Sequence, residues 1–124
     1  MELNHDCVRD ILFWVEKNVS LRPIRTDTVI NSLDSNWTDD ELIYCIIQLN
    51  EAELLDGGAS MSNGGIATNE IRKITWKGHE YLDNIRDDTI WRKTKKTVFS
   101  KVGSASLSIV NSVAAKILSN ELGL

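Results

Sequence analysis

Residues 38–74, TDDELIYCIIQLNEAELLDGGASMSNGGIATNEIRKI, decide the fold class of this chain. Thr38 followed three residues later by Glu41 is typical of a capping box, and Asp39 and Asp40 place negative charge at the positive end of the helix that begins there. Four glycines interspersed with Ser and Asn then lie between two apolar runs, which predicts two short strands joined by a flexible loop. A helix followed by strand, loop and strand is typical of the recognition helix and wing of a winged helix-turn-helix.

The segments before residue 38 predict further helical structure. Residues 3–18 carry apolar side chains at spacings of three and four, and Asn4 is a suitable N-cap, so we expect an amphipathic helix. Segment 24–37 fits either of two structures. It could form a short helix beginning at Thr26 or Asp27, or a short strand, and the sequence leaves this choice open.

The segment after the wing, TWKGHEYLDNIRDDTIWRKTKK (75–96), predicts another helix. Thr75 is expected to cap it, and Gly78 in its first turn is expected to let a neighbouring segment approach closely, at a cost of about 1 kcal/mol relative to Ala. The residues expected to pack are Trp76, Tyr81, Leu82, Ile85 and Trp91.

The order of these elements predicts an α+β fold that is mostly helical. We expect a winged helix-turn-helix-like domain over residues 1–101, with a small wing sheet of two or three strands, and an added C-terminal amphipathic helix within 102–124, from about Ser104 to Leu122. This last helix is expected to pack on the domain or on a second copy of the chain, forming a homodimer. Its apolar face consists of Leu107, Val110, Ala114, Ile117 and Leu118.

The composition is that of one globular domain, with 42% hydrophobic and 26% charged residues in 124. Cys7 and Cys45 fall in predicted helices without a CxxC spacing, so they are expected to be buried, reduced thiols of a cytosolic protein. No secretion signal is visible in the first ten residues, and the tail is too polar to span a membrane.

Few residues carry recognisable catalytic chemistry. His5 and His79 are the only histidines, and neither belongs to a metal-binding pattern. The glycine pairs at 57–58 and 64–65 lack the Lys-Ser/Thr that would complete a phosphate-binding loop, and no nucleophile motif is present. We therefore expect a protein that is not an enzyme and that needs no metal or cofactor.

The net charge of −4 conceals a strong asymmetry. Residues 1–56 hold twelve acidic and four basic residues, a net charge of −8, whereas residues 57–124 hold six acidic and ten basic residues, a net charge of +4. The helix before the wing has five acidic residues and no basic one, which opposes standard DNA docking and favours a protein partner. The acidic residues expected to bind that partner are Asp39, Asp40, Glu41, Glu51 and Glu53.

The basic residues follow the wing. They form either a phosphate-binding patch or a solvated helix face that balances the acidic half. The nucleic-acid-binding candidates are Arg92, Lys93, Lys95, Lys96 and Lys101.

Several stretches of the chain resemble a known family. LNHDCVRDIL (3–12), LIYCIIQLNEAELLDG (42–57), ITWKGHEYLDNIRDDTIWRKTKK (74–96) and ILSNELGL (117–124) are together similar to domain of unknown function 2513, small winged-helix-like proteins of bacteria, phages and prophages. The family pattern has His where this chain has Cys45 and Gly where it has Glu53. The second difference implies that the helix ends differently in this chain, without the usual glycine cap.

The residues and the resemblance together predict a non-enzymatic phage or prophage accessory protein of the bacterial cytoplasm. It would bind a host protein and inhibit or redirect a nucleic-acid-handling or defence machine through its acidic surface. The alternative is a winged-helix transcriptional regulator that binds DNA through the basic segment after the wing.

Overall fold

The computed structural model describes residues 1–124, which form six helices and a three-stranded antiparallel sheet. In chain order the elements are α1 (His5–Asn18), β1 (Ile24–Arg25), α2 (Thr26–Leu33), α3 (Asp39–Glu51), β2 (Leu55–Ser62), β3 (Gly65–Ile74), α4 (Trp76–Ile85), α5 (Asp88–Phe99) and α6 (Leu107–Glu121). Three helices followed by a β-hairpin, with a short strand before the second helix, is a winged-helix-like arrangement, as the sequence predicts. No helix combines the length and apolar character needed to cross a membrane.

Two compact units divide the chain. The first comprises Leu3–His79 and the second Glu80–Leu124, with Met1 assigned to the first and Glu2 to the second. The predicted division into 1–101 and 102–124 stays a prediction, since it concerns which part folds alone.

Side-chain caps set the beginnings of the first unit's long helices. The Oδ1 of Asn4 accepts from the backbone N–H of Cys7 at 3.1 Å, so α1 begins where the sequence predicts. The buried side chains of α1 recur at helical spacing and include Cys7, Val8, Ile11, Leu12 and Val15.

Segment 24–37, left open by the sequence, contains both kinds of structure. Ile24 and Arg25 form a strand of two residues, and α2 follows immediately from Thr26. The Thr26 side chain is buried and its hydroxyl donates to the carbonyl oxygen of Gly58 at 2.6 Å. A long-range hydrogen bond therefore fixes the strand-to-helix junction, and local propensity alone could not show it.

The sheet has the strand order β1-β3-β2. β1 pairs with β3 through Ile24 opposite Ile71, and β2 pairs with β3 along its whole length, from Leu55 opposite Ile74 to Ser62 opposite Gly65. The register shifts on either side of Gly57, which marks a β-bulge at the base of the hairpin. From Ser60 to Glu70 every residue is exposed, so the outer half of the hairpin projects into solvent as a wing.

The junction between β3 and α4 is tightly packed. The Thr75 hydroxyl accepts from the N–H of Gly78 at 3.0 Å and donates to the carbonyl oxygen of Glu53 at 2.5 Å. A Cβ on Gly78 would lie 2.1 Å from the Leu54 carbonyl oxygen, so only glycine allows this approach. Both predictions for this junction, the Thr75 cap and the close approach at Gly78, are confirmed.

The packing predicted for Trp76 is wrong, because its side chain is 80% exposed. The buried positions of α4 are Gly78, Tyr81, Leu82 and Ile85. They follow one another at spacings of three, one and three, whereas Trp76 precedes Gly78 by two positions and projects from the opposite side of the helix.

The second unit contains the end of α4 and the helices α5 and α6. The Oδ1 of Asp87 accepts from the N–H of Ile90 at 2.9 Å, so a new helix begins at Asp88. α6 begins after Ser106, whose hydroxyl accepts from the N–H of Ile109 at 3.1 Å. The predicted span of about 104–122 is therefore close to the observed one.

Candidate protein-binding surface

The helix α3 occupies the position of a recognition helix and has acidic residues at both ends. The Thr38 hydroxyl accepts from the N–H of Glu41 at 3.1 Å, and the Glu41 carboxylate accepts from the N–H of Thr38 at 3.3 Å. This reciprocal pair is the predicted capping box. Glu41 therefore has a structural role, while Asp39 and Asp40 remain exposed beside it.

The five acidic residues predicted as a binding set do not form one cluster. Asp40 and Glu51 lie eleven positions apart on α3, which is about 17 Å along the axis. Between them, Tyr44 and Gln48 complete a partly exposed stripe at spacings of four, four and three. The exposed side of α3 is thus uncharged in the middle and negatively charged at each end.

Glu53 has a conformational role that the sequence comparison misjudged. Its φ is +63°, in the left-handed region, and the N–H of Leu54 donates to the carbonyl oxygen of Leu49 at 2.9 Å. The N–H of Glu53 donates to the carbonyl oxygen of Asn50 at 3.1 Å. These two bonds form a Schellman motif. The expectation that the helix ends differently without glycine is therefore wrong, since Glu53 adopts the conformation that glycine favours.

Asparagine side chains from two elements hold the base of the wing. Asn50 at the end of α3 accepts from the N–H of Gly57 at 3.1 Å through Oδ1 and donates to the carbonyl oxygen of Ala59 at 3.0 Å through Nδ2. Asn69 on β3 accepts from the N–H of Gly58 at 2.9 Å. Together they bond backbone groups of the three residues at the bulge, Gly57, Gly58 and Ala59. No local sequence pattern predicts these contacts, because they depend on the bulge.

The bulge itself requires glycine. Gly57 and Gly58 have φ values of +89° and +110°, where side chains with a Cβ are strained. A Cβ on Gly58 would lie 2.7 Å from Cγ2 of Ile46 on α3. The helix and the wing are therefore in direct backbone-to-side-chain contact at this point.

The helix–wing face has a one-sided charge. The 46 residues from Thr26 to Ile71 include nine acidic residues and no Lys, Arg or His. This segment comprises α2, α3, β2 and most of β3, which are the elements that a DNA-binding winged helix presents to the duplex. The nine acidic residues are Asp27, Asp34, Asp39, Asp40, Glu41, Glu51, Glu53, Asp56 and Glu70.

Two of these acidic residues are paired with a base outside the segment. Arg25 forms an exposed ion pair with Asp27 at 3.1 Å. Arg72 donates to the Asp56 carboxylate at 2.6 Å through Nη2 and at 3.0 Å through Nε. This hydrogen-bonded pair lowers the pKa of Asp56 and raises that of Arg72. The pair lies at the exposed base of the wing, so it neutralises little of the face beyond its own position.

The wing tip is apolar. Met61 and Ile66 are directly opposite each other across the hairpin, and their side chains are 65% and 57% exposed. No charged residue occurs from Gly57 to Asn69. Two large apolar side chains side by side on a neutral, projecting hairpin form a small surface suited to contact with another protein.

Internal contacts engage part of the basic segment. Lys93 forms an ion pair with Glu121 at 2.5 Å, and the Lys95 ammonium lies 5.6 Å from the centre of the Trp91 ring. Arg92 donates to the hydroxyl of Thr89 at 3.4 Å. Four of the five predicted residues are exposed, namely Arg92, Lys93, Lys96 and Lys101, and Lys93 is the one of these held in an ion pair.

The apolar face of α6 divides into two parts. Val110 and Ala114 are fully buried within the single chain, and α5 is the neighbouring helix of this unit. Leu107, Ile117 and Leu118 stay partly exposed, and Ile109, which the sequence analysis did not select, is 52% exposed. The centre of the predicted apolar face is therefore buried within the chain itself. Formation of a homodimer through the remainder stays a prediction.

These features define the class of protein as a small winged-helix-like protein with an acidic helix–wing face. A protein-family model described as "Hypothetical protein (DUF2513)" matches residues 2–104, and the chain belongs to that family. The resemblance seen in the sequence is thereby confirmed. The chain is also 32% identical, over 122 residues, to an uncharacterized protein of Haemophilus influenzae, with 98% of this chain and 99% of the relative aligned. No solved structure matches the chain.

Proposed function

We propose that this chain is a non-enzymatic interaction module that binds a protein partner through its helix–wing face. The observation that carries the proposal is the charge of that face, with nine acidic and no basic residues from Thr26 to Ile71. Neutralisation of phosphates by Lys and Arg supplies most of the affinity of proteins for DNA. A face with this excess of acidic residues would be repelled by a duplex, and α3 has no Arg or Lys that could contact guanine.

The same face suits a partner with basic and apolar groups. The exposed acidic residues at the ends of α3 would attract a positively charged surface and orient it during association. Tyr44 between them, and Met61 and Ile66 at the wing tip, offer the apolar contacts that form the centre of protein interfaces. Both types of contact lie within the first compact unit.

In its concrete form, the proposal describes a phage or prophage accessory protein acting in the cytoplasm of a bacterial host. Its partner would be a host protein with a basic groove of the kind that handles nucleic acid. Occupation of that groove by the acidic face would inhibit or redirect a nucleic-acid-handling or defence machine.

Capture of partners from host lysate by the full chain, with matched variants, tests this proposal. The first variant combines Asp39→Asn, Asp40→Asn and Glu51→Gln, because these three acidic residues are exposed and Glu41 is needed for the cap. Its control removes the same charge elsewhere, through Glu2→Gln, Asp83→Asn and Glu121→Gln.

We expect the wild type and the control to capture the same protein and the first variant to lose it. A second variant, Met61→Ser with Ile66→Thr, should weaken the same complex without altering net charge. Circular dichroism verifies that each variant is folded. Equal capture by the first variant and the control would refute a role for the acidic face.

The alternative is a DNA-binding regulator that uses the basic segment, and the exposed Arg92, Lys96 and Lys101 favour it. Three phosphate contacts would give a slope of about −2.7 in a plot of log affinity against log salt concentration. Duplex binding at low salt with this slope, lost when Arg92, Lys93, Lys95 and Lys96 are all changed to Gln, would establish the alternative. Absence of duplex binding by the wild type at low salt would exclude it.

A further inference from the structure

The two cysteines lie against each other in the interior of the first unit. Cys7 is the third residue of α1 and Cys45 lies in the middle of α3, and their exposures are 0% and 1%. Both contact Asn4. Its Oδ1 accepts from the N–H of Cys7 at 3.1 Å, and its carbonyl oxygen accepts from the Cys45 thiol at 3.7 Å. The side chain of Cys45 therefore reaches the first turn of α1, where Cys7 lies.

The side chains of the two cysteines also affect each other's ionisation. Hydrogen bonding between them raises the pKa of Cys7, to which burial adds, and it lowers the pKa of Cys45. The two sulfurs are thus inequivalent. Cys45 is the one that loses its proton more readily, and Cys7 is held as the neutral thiol.

We propose that Cys7 and Cys45 form an oxidisable dithiol that closes into an intramolecular disulfide between α1 and α3. Cys7 and Cys45 lie on two helices in contact and both bond to Asn4, which supplies the proximity that a disulfide requires. The site lies in the first turn of α1, and helix ends open more readily than helix interiors. Opening of that turn admits a small oxidant such as hydrogen peroxide to both thiols.

The oxidation balances with hydrogen peroxide as the electron acceptor. The Cys45 thiolate attacks one peroxide oxygen, the O–O bond breaks, and the departing hydroxide takes up the proton that Cys45 released, giving water and a sulfenic acid. The Cys7 sulfur then attacks the Cys45 sulfur, the S–O bond breaks, and the hydroxide leaves with the Cys7 proton as a second water. Both thiols are oxidised by one electron each, and one peroxide is reduced to two waters.

The crosslink would strengthen the contact between α1 and the helix at the proposed interface. It closes a loop of about 39 residues, and the loss of chain entropy in the unfolded state then lowers the unfolding equilibrium constant by roughly 100- to 1,000-fold. This inference concerns a modification inside the fold and is independent of which partner the helix–wing face binds.

Treatment of the folded full chain with hydrogen peroxide, followed by intact-mass and non-reducing peptide analysis, tests the proposal. We expect a loss of about 2 Da, a linked peptide pair containing Cys7 and Cys45, and restoration of the mass by dithiothreitol. Oxidised protein should unfold at higher urea concentration than reduced protein. The single variants Cys7→Ala and Cys45→Ala, confirmed as folded by circular dichroism, should not lose this mass.

Three results would overturn the proposal. The first is a mass gain of roughly 32 Da per cysteine without a crosslink, since it would show independent oxidation of two thiols. The second is a disulfide between two chains. The third is full recovery of both free thiols after prolonged oxidant treatment of the folded protein.

Discussion

Replacement of Gly78 by alanine should destabilise the protein, although alanine is the better helix former. The added Cβ would lie 2.1 Å from the Leu54 carbonyl oxygen and 2.6 Å from Cγ2 of Ile74, both far inside van der Waals contact. The first of these neighbours is backbone, so a side-chain rotation cannot relieve the contact. That carbonyl oxygen also accepts from the N–H of Thr75 at 3.1 Å.

The magnitude follows from three contributions. Helix propensity favours alanine by about 1 kcal/mol. Overpacking typically costs 1–3 kcal/mol, and a backbone contact this short places Gly78→Ala near about 3 kcal/mol. Displacement of the Leu54 carbonyl weakens its bond to Thr75, at a further cost of about 1 kcal/mol. We therefore expect a net loss of about 3 kcal/mol, or about 10 °C in Tm for a chain of this length.

Urea and thermal denaturation followed by circular dichroism at the helical band measure this loss. Gly64→Ala is the matched control, because no heavy atom lies within 4 Å of a Cβ placed there, and its stability should change by at most about 0.5 kcal/mol. A Gly78→Ala variant that is as stable as the wild type would refute the close approach of α4 to Leu54.

Three further substitutions test single features. Glu53→Gly should raise the free energy of unfolding by about 0.5–1 kcal/mol, because it removes the backbone strain at φ +63°. Ala52→Gly is the control: Ala52 has a right-handed conformation, so glycine there should lower the free energy of unfolding. Urea denaturation measures both changes. Asn50→Ala should cost about 2–3 kcal/mol by the same assay, since the N–H of Gly57 and a second backbone group lose their partner. The Tyr81 hydroxyl is buried without a hydrogen bond, and burial raises its pKa. Tyr81→Phe should therefore stabilise the protein by about 1 kcal/mol at pH 7. In the wild type Tyr81 ionises in the unfolded chain above pH of about 10 while the folded chain retains the proton, so stability should fall at that pH and Tyr81→Phe should remove this part of the fall.

The sequence predicts those elements whose signals are local. The Thr38 capping box, the Asn4 cap and the Thr75 cap each depend on residues within three positions, and all three occur as expected. The break between α4 and α5 is not predicted, since residues 75–96 are expected to form one helix. The bond that Asp87 accepts from the N–H of Ile90 marks the start of the second helix.

The candidate site could be predicted by charge but not by geometry. The absence of basic residues from α3 and the wing is visible in the sequence, whereas the exposure of the residues along α3 depends on which side of the helix is buried. The contacts of Asn50 and the pairing of Cys7 with Cys45 join residues that are far apart along the chain. Such contacts follow from the packed fold, and no periodic pattern encodes them.

The double bond of Asn50 to the wing has a mechanical consequence. Because one side chain at the end of α3 bonds to both sides of the bulge, at Gly57 and Ala59, the helix and the wing base move as a single body. From Ser60 outward the wing is exposed and has no such bond to α3, so its tip can bend relative to the base. A partner would meet a preformed surface at α3, with little entropy lost on ordering, and an adaptable contact at Met61 and Ile66.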